Sequence, residues 1–112
     1  MSLLSKLLDP GAEVFYDPGF RAVFEDHLSL LINNKTTHRS QTVDPNTAAR
    51  FAGDWRGLML ALSVRPHLHW FNLRLNGLLS TSDFNGEMES VECFYDTAID
   101  SLRRAYMTKR VN

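Results

Sequence analysis

A chain of 112 residues holds one small domain, and 44% hydrophobic residues place it outside the disordered class. Twelve Lys+Arg against thirteen Asp+Glu leave a net charge of −1, which argues against a non-specific binder of nucleic acid or anionic membrane. One cysteine excludes an intrachain disulfide framework and a Cys-rich zinc site, and no apolar run approaches the roughly 20 residues that span a bilayer.

The first residues, Met-Ser-Leu-Leu-Ser-Lys, lack the basic, apolar and small-residue parts of a signal peptide. The expectation is a soluble domain in a reducing compartment. Residues 1–18 read as an N-terminal arm. Leu3, Leu4, Leu7 and Leu8 recur at helical spacing, and Asp9-Pro10-Gly11 and Asp17-Pro18-Gly19 break the chain on either side of Phe15-Tyr16. Such an arm either packs within its own domain or lies across another protein. Four leucines exceed what so small a domain covers, so Leu3, Leu4, Leu7, Leu8, Phe15 and Tyr16 are expected to dock on a partner.

Residues 19–36 read as an amphipathic helix, with Phe20, Val23, Phe24, Leu28, Leu31 and Ile32 on one stripe. Arg21 and Glu25 fall four apart as a surface pair, and Asn33-Asn34 offers a left-handed cap. Residues 37–94 read as a strand–helix–helix–strand core. The polar stretch 36–43 alternates as a strand does. Asp44-Pro45 then opens a helix, Gly53-Asp54 kinks or restarts it, and Pro66 opens another that is apolar on almost all sides and stops at Asn76-Gly77. Glu87 to Phe94 alternates as an edge strand guarded by three glutamates. Residues 95–112 read as a C-terminal helix with a basic end. The fold class expected is α+β.

Several side chains invite a chemical reading. His67 and His69 diverge by about 200° on a helix, which favours packing and hydrogen bonding over a shared metal. Cys93 lies in no nucleophile motif and reads as a small buried hydrophobe. Glu87 and Glu89 share a strand face that points to water, so no carboxylate pair for glycoside cleavage is expected. Gly53 and Gly57 lack the Gly-Lys-Ser/Thr of a phosphate loop. No enzyme, metal or cofactor is expected. The basic stretch Arg103 to Arg110 leaves a small nucleic-acid-binding or regulatory protein as one alternative.

Gly53-Asp54, Leu58, Leu75-Asn76-Gly77, Ser82-Asp83-Phe84 and Gly86 together resemble a LysM module over residues 41–94. The resemblance implies a strand–helix–helix–strand fold and places glycan contacts at Val43–Asn46 and Leu78–Asp83. Two positions depart from the module: Trp55 stands where a threonine follows Gly-Asp, and Cys93-Phe94 stands where a proline closes the last strand.

Over residues 15–85 the chain is similar to the small baseplate wedge component of contractile-tailed bacteriophages, which includes a LysM-like domain. Phe20-Arg21 matches its early helix, and Leu68-His69-Trp70 followed by Asn76 matches its Leu-aromatic-Trp and asparagine. That resemblance implies a non-enzymatic virion subunit, assembled in the host cytoplasm, that joins other baseplate or tail proteins. Gly53, Asp54, Trp70, Asn76, Gly77, Asp83 and Gly86 are then structural motif residues. A LysM-type glycan-binding module is the other alternative, and no membrane partner is expected.

Overall fold

The computed structural model describes residues 13–111 and is an α+β domain. A 3-10 turn, Glu13–Tyr16, leads into α1 (Pro18–Asn33), then β1 (His38–Thr42), α2 (Pro45–Arg50) and α3 (Trp55–Ala61). A second 3-10 turn, Pro66–Leu68, runs directly into α4 (His69–Leu75). A third, Thr81–Asp83, precedes β2 (Ser90–Phe94), and α5 (Asp96–Val111) closes the order.

Three aspartates start three helices. Asp17, Asp44 and Asp54 accept from the backbone N–H of Gly19, Thr47 and Gly57 at 3.2, 3.3 and 3.0 Å, capping α1, α2 and α3. Proline stands at the first position of α1 and of α2, where its missing N–H costs nothing. Gly53, at φ +77°, reverses the chain between α2 and α3, so Gly53-Asp54 restarts a helix rather than bending one. Three helices therefore lie between the strands where the spacing predicts two. At the other end of α1, Asn34 caps in an extended conformation (φ −97°, ψ 101°), not the left-handed one expected of it. Its backbone N–H still reaches Leu30 and Leu31, so the helix end is satisfied without αL geometry.

The strands pair antiparallel, with His38 opposite Phe94 and Thr42 opposite Ser90. Val43 N donates to Glu89 O and Tyr95 N to Thr37 O at the two ends of the ladder. Odd-numbered residues of both strands therefore direct their peptide groups at each other. Those of His38, Ser40 and Thr42, and of Ser90, Glu92 and Phe94, point away. The alternation over 87–94 predicts a longer strand than the one formed: Glu87 and Glu89 precede it, and only Glu92 of the three glutamates lies within it.

Phe15, Phe20 and Phe24 from the N-terminal side, Trp55, Leu58, Met59, Phe71 and Phe84 from the middle, and Val91 and Ile99 from the C-terminal side form one buried cluster. Phe24 packs edge-on against Phe71 and Phe94, with ring centroids 4.9 and 5.7 Å apart. Each such buried ring contributes about 1.5–3 kcal/mol. Helices α1 and α5, which read in the sequence as flanking additions, thus share a core with the unit between them.

Candidate functional site

The largest cleft described lies between the Pro66–Leu68 turn and the start of α5. It has a volume of about 530 Å³ and is lined by Phe15, Arg65, His67, Asp96, Thr97, Asp100 and Arg103. Both of its carboxylates are paired. Asp96 takes His67 Nε2 at 2.9 Å and Arg65 at 3.7 Å. Asp100 takes Arg103 at 2.7 Å and Arg104 at 3.0 Å. The Arg103 hydrogen bond, above all, holds the Asp100 carboxyl below the usual carboxylate range.

A His–Asp pair in a cleft has the outline of a general base, but the geometry is wrong for one. Asp96 accepts, so His67 Nε2 carries the proton. The other nitrogen, Nδ1, is buried with no hydrogen-bond partner, and the Phe15 ring lies 4.7 Å from the imidazole. The lone pair that would take a substrate proton is closed off from the cleft. His69 is committed as well. Its Nε2 donates to Val64 O at 2.7 Å, and burial lowers its pKa and favours the neutral ring. The two histidines face different partners, as their helical divergence predicts.

A polar cluster crosses the sheet. Glu92 accepts from Ser40 Oγ at 2.7 Å and from His38 Nδ1 at 3.1 Å, and His38 Nε2 reaches Ile32 O at 3.1 Å. Serine, histidine and a carboxylate are all present, yet the serine donates to the carboxylate and not to the imidazole, so no nucleophile is activated. The Ser40 bond, first, and His38 draw the Glu92 pKa down. Burial pushes the Cys93 thiol up, away from thiolate reactivity.

The expected partner-binding residues fall in three places. Leu3, Leu4, Leu7 and Leu8 lie outside the described residues. Phe15 is buried in its own core against Phe20, Phe71 and His67, which corrects its assignment to a partner. It turns inward because the 3-10 turn carrying it packs on α1. Tyr16 stays 38% exposed. Arg21 leaves its expected pairing with Glu25 and lies 5.5 Å over Tyr16 and 4.5 Å over Trp70, while its Nε donates to Phe15 O. Glu25 instead forms a two-pronged ion pair with Arg74 of α4 (2.5 and 3.2 Å), which raises the arginine's pKa and ties α1 to α4.

The motif residues have structural roles that the geometry makes explicit. Asp83 receives the backbone N–H of Leu79 and of Ser80, each at 3.0 Å, and closes the 78–83 loop. Trp70 is half-buried between Phe24 and Arg21. Gly77 and Gly86 sit at φ +79° and +80°. Asn76 bonds both peptide groups of Glu92, Nδ2 to O and Oδ1 from N, at 2.8 Å each. Asn72 plays a companion part that the sequence reading did not single out: its Oδ1 accepts from Phe94 N at 2.8 Å, fully buried. The signal was present, because Asn72 is the one amide among apolar neighbours and lies four residues, one helical turn, before Asn76. Between them they seal the outer edge of β2. The strand whose glutamates predict an exposed edge is covered by a helix.

Of the four clefts described, none is lined by Val43–Asn46. Among the described residues no group of three His, Cys, Asp or Glu is placed to hold a metal, and no helix is long and apolar enough to cross a membrane. Neither a protein-family model, nor a curated protein, nor a solved structure matches the chain.

Proposed function

We propose that this protein is a non-enzymatic structural subunit of a contractile phage tail, a baseplate wedge component with a LysM-like core, that joins neighbouring virion proteins. One observation carries the reading. The residues between Leu68 and Gly86 that carry the two resemblances bind one element of the fold to another: Asn76 clamps β2, and, of the LysM-like positions, Asp83 closes a loop and Gly86 packs against α2. Motif residues with such roles support a scaffold more than a ligand site. Asp100 pairs with both Arg103 and Arg104, which lowers the positive charge that those two offer and further disfavours the nucleic-acid alternative.

In this reading the leucine-bearing segment 1–12 grips a neighbour by burying apolar surface, and many copies in one particle add avidity. Deleting residues 2–12 tests it. The shortened chain is expected to melt cooperatively, yet to be missing by mass spectrometry from purified particles that contain the full chain. Normal incorporation of the shortened chain overturns the gripping role. Absence of the full chain from every purified particle overturns the virion assignment itself.

A further inference from the structure

The two outer edges of the sheet are finished differently. On β2, Asn76 occupies both outward groups of Glu92, and Asn72 occupies the outward N–H of Phe94. On β1 the outward groups belong to His38, Ser40 and Thr42. His38 is buried, whereas Ser40 and Thr42 are exposed. Among the described residues, nothing bonds the peptide N–H or C=O of Ser40 or the N–H of Thr42. The Thr42 carbonyl receives only the neighbouring Gln41 amide, at 3.4 Å. Proline, lysine and bulges are the usual guards of such an edge, and the strand His-Arg-Ser-Gln-Thr carries none of them.

We propose that β1 pairs antiparallel with β1 of a second copy of this chain, about a two-fold axis that sets Gln41 opposite Gln41. The occupant follows from self-complementarity. In this register Ser40 of each copy faces Thr42 of the other, and four backbone hydrogen bonds form from the groups now open. Arg39 then faces the uncharged Val43. A register centred on Arg39 would set two guanidinium groups face to face. One centred on Ser40 would need the outward groups of buried His38. Gln41, in the close non-hydrogen-bonded pair, brings amide to amide across the axis. Arg39 already lies along the strand, with its Nη1 on Gln41 Oε1 at 2.5 Å.

Two five-residue strands bury less than the roughly 1,200–2,000 Å² of a stable interface, so the pairing is weak and acts where copies are held close. It stands independently of the virion reading.

Sedimentation of the full chain, taken into the millimolar range, is expected to show a monomer–dimer equilibrium. Ser40→Pro deletes an outward N–H that the β1–β2 ladder does not use, and should weaken the dimer about tenfold or more. Ser40→Ala loses only the bond to Glu92 and should dimerise as the parent does. Gln41→Cys should cross-link to itself under mild oxidation, because Cα atoms of a non-hydrogen-bonded pair sit about 4.5 Å apart, within disulfide reach. Arg39→Cys should not. A chain that stays monomeric at millimolar concentration overturns the proposal, as does a dimer indifferent to Ser40→Pro. If Ser40→Pro fails to fold, the cysteine pair decides, and equal cross-linking of Arg39→Cys and Gln41→Cys overturns it.

Discussion

Asn76 holds Glu92 as a neighbouring strand would: its side-chain amide donates to the Glu92 carbonyl and accepts from the Glu92 N–H, both at 2.8 Å. A side chain on a helix end thereby substitutes for a third strand. It also donates to Asn72 O, at 2.7 Å, so the amide is fixed from both sides.

Replacing Asn76 with alanine leaves both Glu92 peptide groups without partners in a half-buried place. The expected loss is about 2–3 kcal/mol by urea unfolding, two hydrogen bonds of roughly 0.5–1.5 kcal/mol each plus desolvation. Asn76→Asp should also destabilise, since a carboxylate accepts from Glu92 N but cannot donate to Glu92 O. A loss under about 0.5 kcal/mol would show that the clamp matters little.

Gly77 and Gly86 separate backbone strain from crowding. Both have φ near +80°, so an alanine at either meets the left-handed penalty of about 1–2 kcal/mol. Only at Gly86 would the added Cβ also meet neighbours, Ala52 Cβ at 2.9 Å and Ala48 O at 3.0 Å, while at Gly77 nothing lies within 4 Å. Gly86→Ala should therefore cost more than Gly77→Ala. Equal denaturation midpoints for the two variants would refute the crowding.

Ser63 follows the end of α3 with φ +62° and is the one non-glycine in that region among the described residues. Ser63→Gly removes the Cβ strain, partly offset by the freer unfolded chain, and should raise stability by about 0.5–1 kcal/mol. A variant less stable than the parent would mean the serine side chain matters for another reason.

Acid should weaken the protein over two pH windows. Burial lowers the His69 pKa below its unfolded value, so its contribution is complete above about pH 6.5 and is lost as pH falls through the folded value. The Glu92 pKa is also lowered, by Ser40 and then His38. Its contribution is present above the unfolded carboxylate pKa, near 4.3, and disappears as pH falls below it. Unfolding free energy measured against pH should show both limbs. Ser40→Ala should flatten the lower one and His69→Gln the upper. If neither variant changes the slope, other groups carry the acid sensitivity.

Much of the local structure was legible because it rests on short-range chemistry. Asp-Pro at 44–45 starts a helix by capping geometry alone, and Asn76-Gly77 stops one for the same reason, whereas Asp17-Pro18, which reads as a break, caps α1 in the same way as Asp44-Pro45 caps α2. Candidate site residues were less legible, because their roles depend on partners far along the chain. Glu25 has Arg21 one turn away but pairs with Arg74, 49 residues on. Phe15 has the look of a partner anchor, and only the closeness of Phe20, Phe71 and His67 shows where it packs.

The opening numbers pointed to one small globule of near-zero charge, and the chain pattern sharpened that into an α+β unit with helices at both ends. Capping, periodicity and turn chemistry act within a few residues, so the sequence by itself determined that a helix begins at Asp44-Pro45 and that Leu68 to Leu75 is buried on more than one side. Which sheet edge is closed is a different matter. Asn72 and Asn76 reach β2 from 16 to 22 residues away, and the outward peptide N–H groups of Ser40 and Thr42 meet no partner among the described residues, because helix α4 packs along β2. Only the tertiary structure decided that, since hydrogen bonds between distant residues form where packing brings them together.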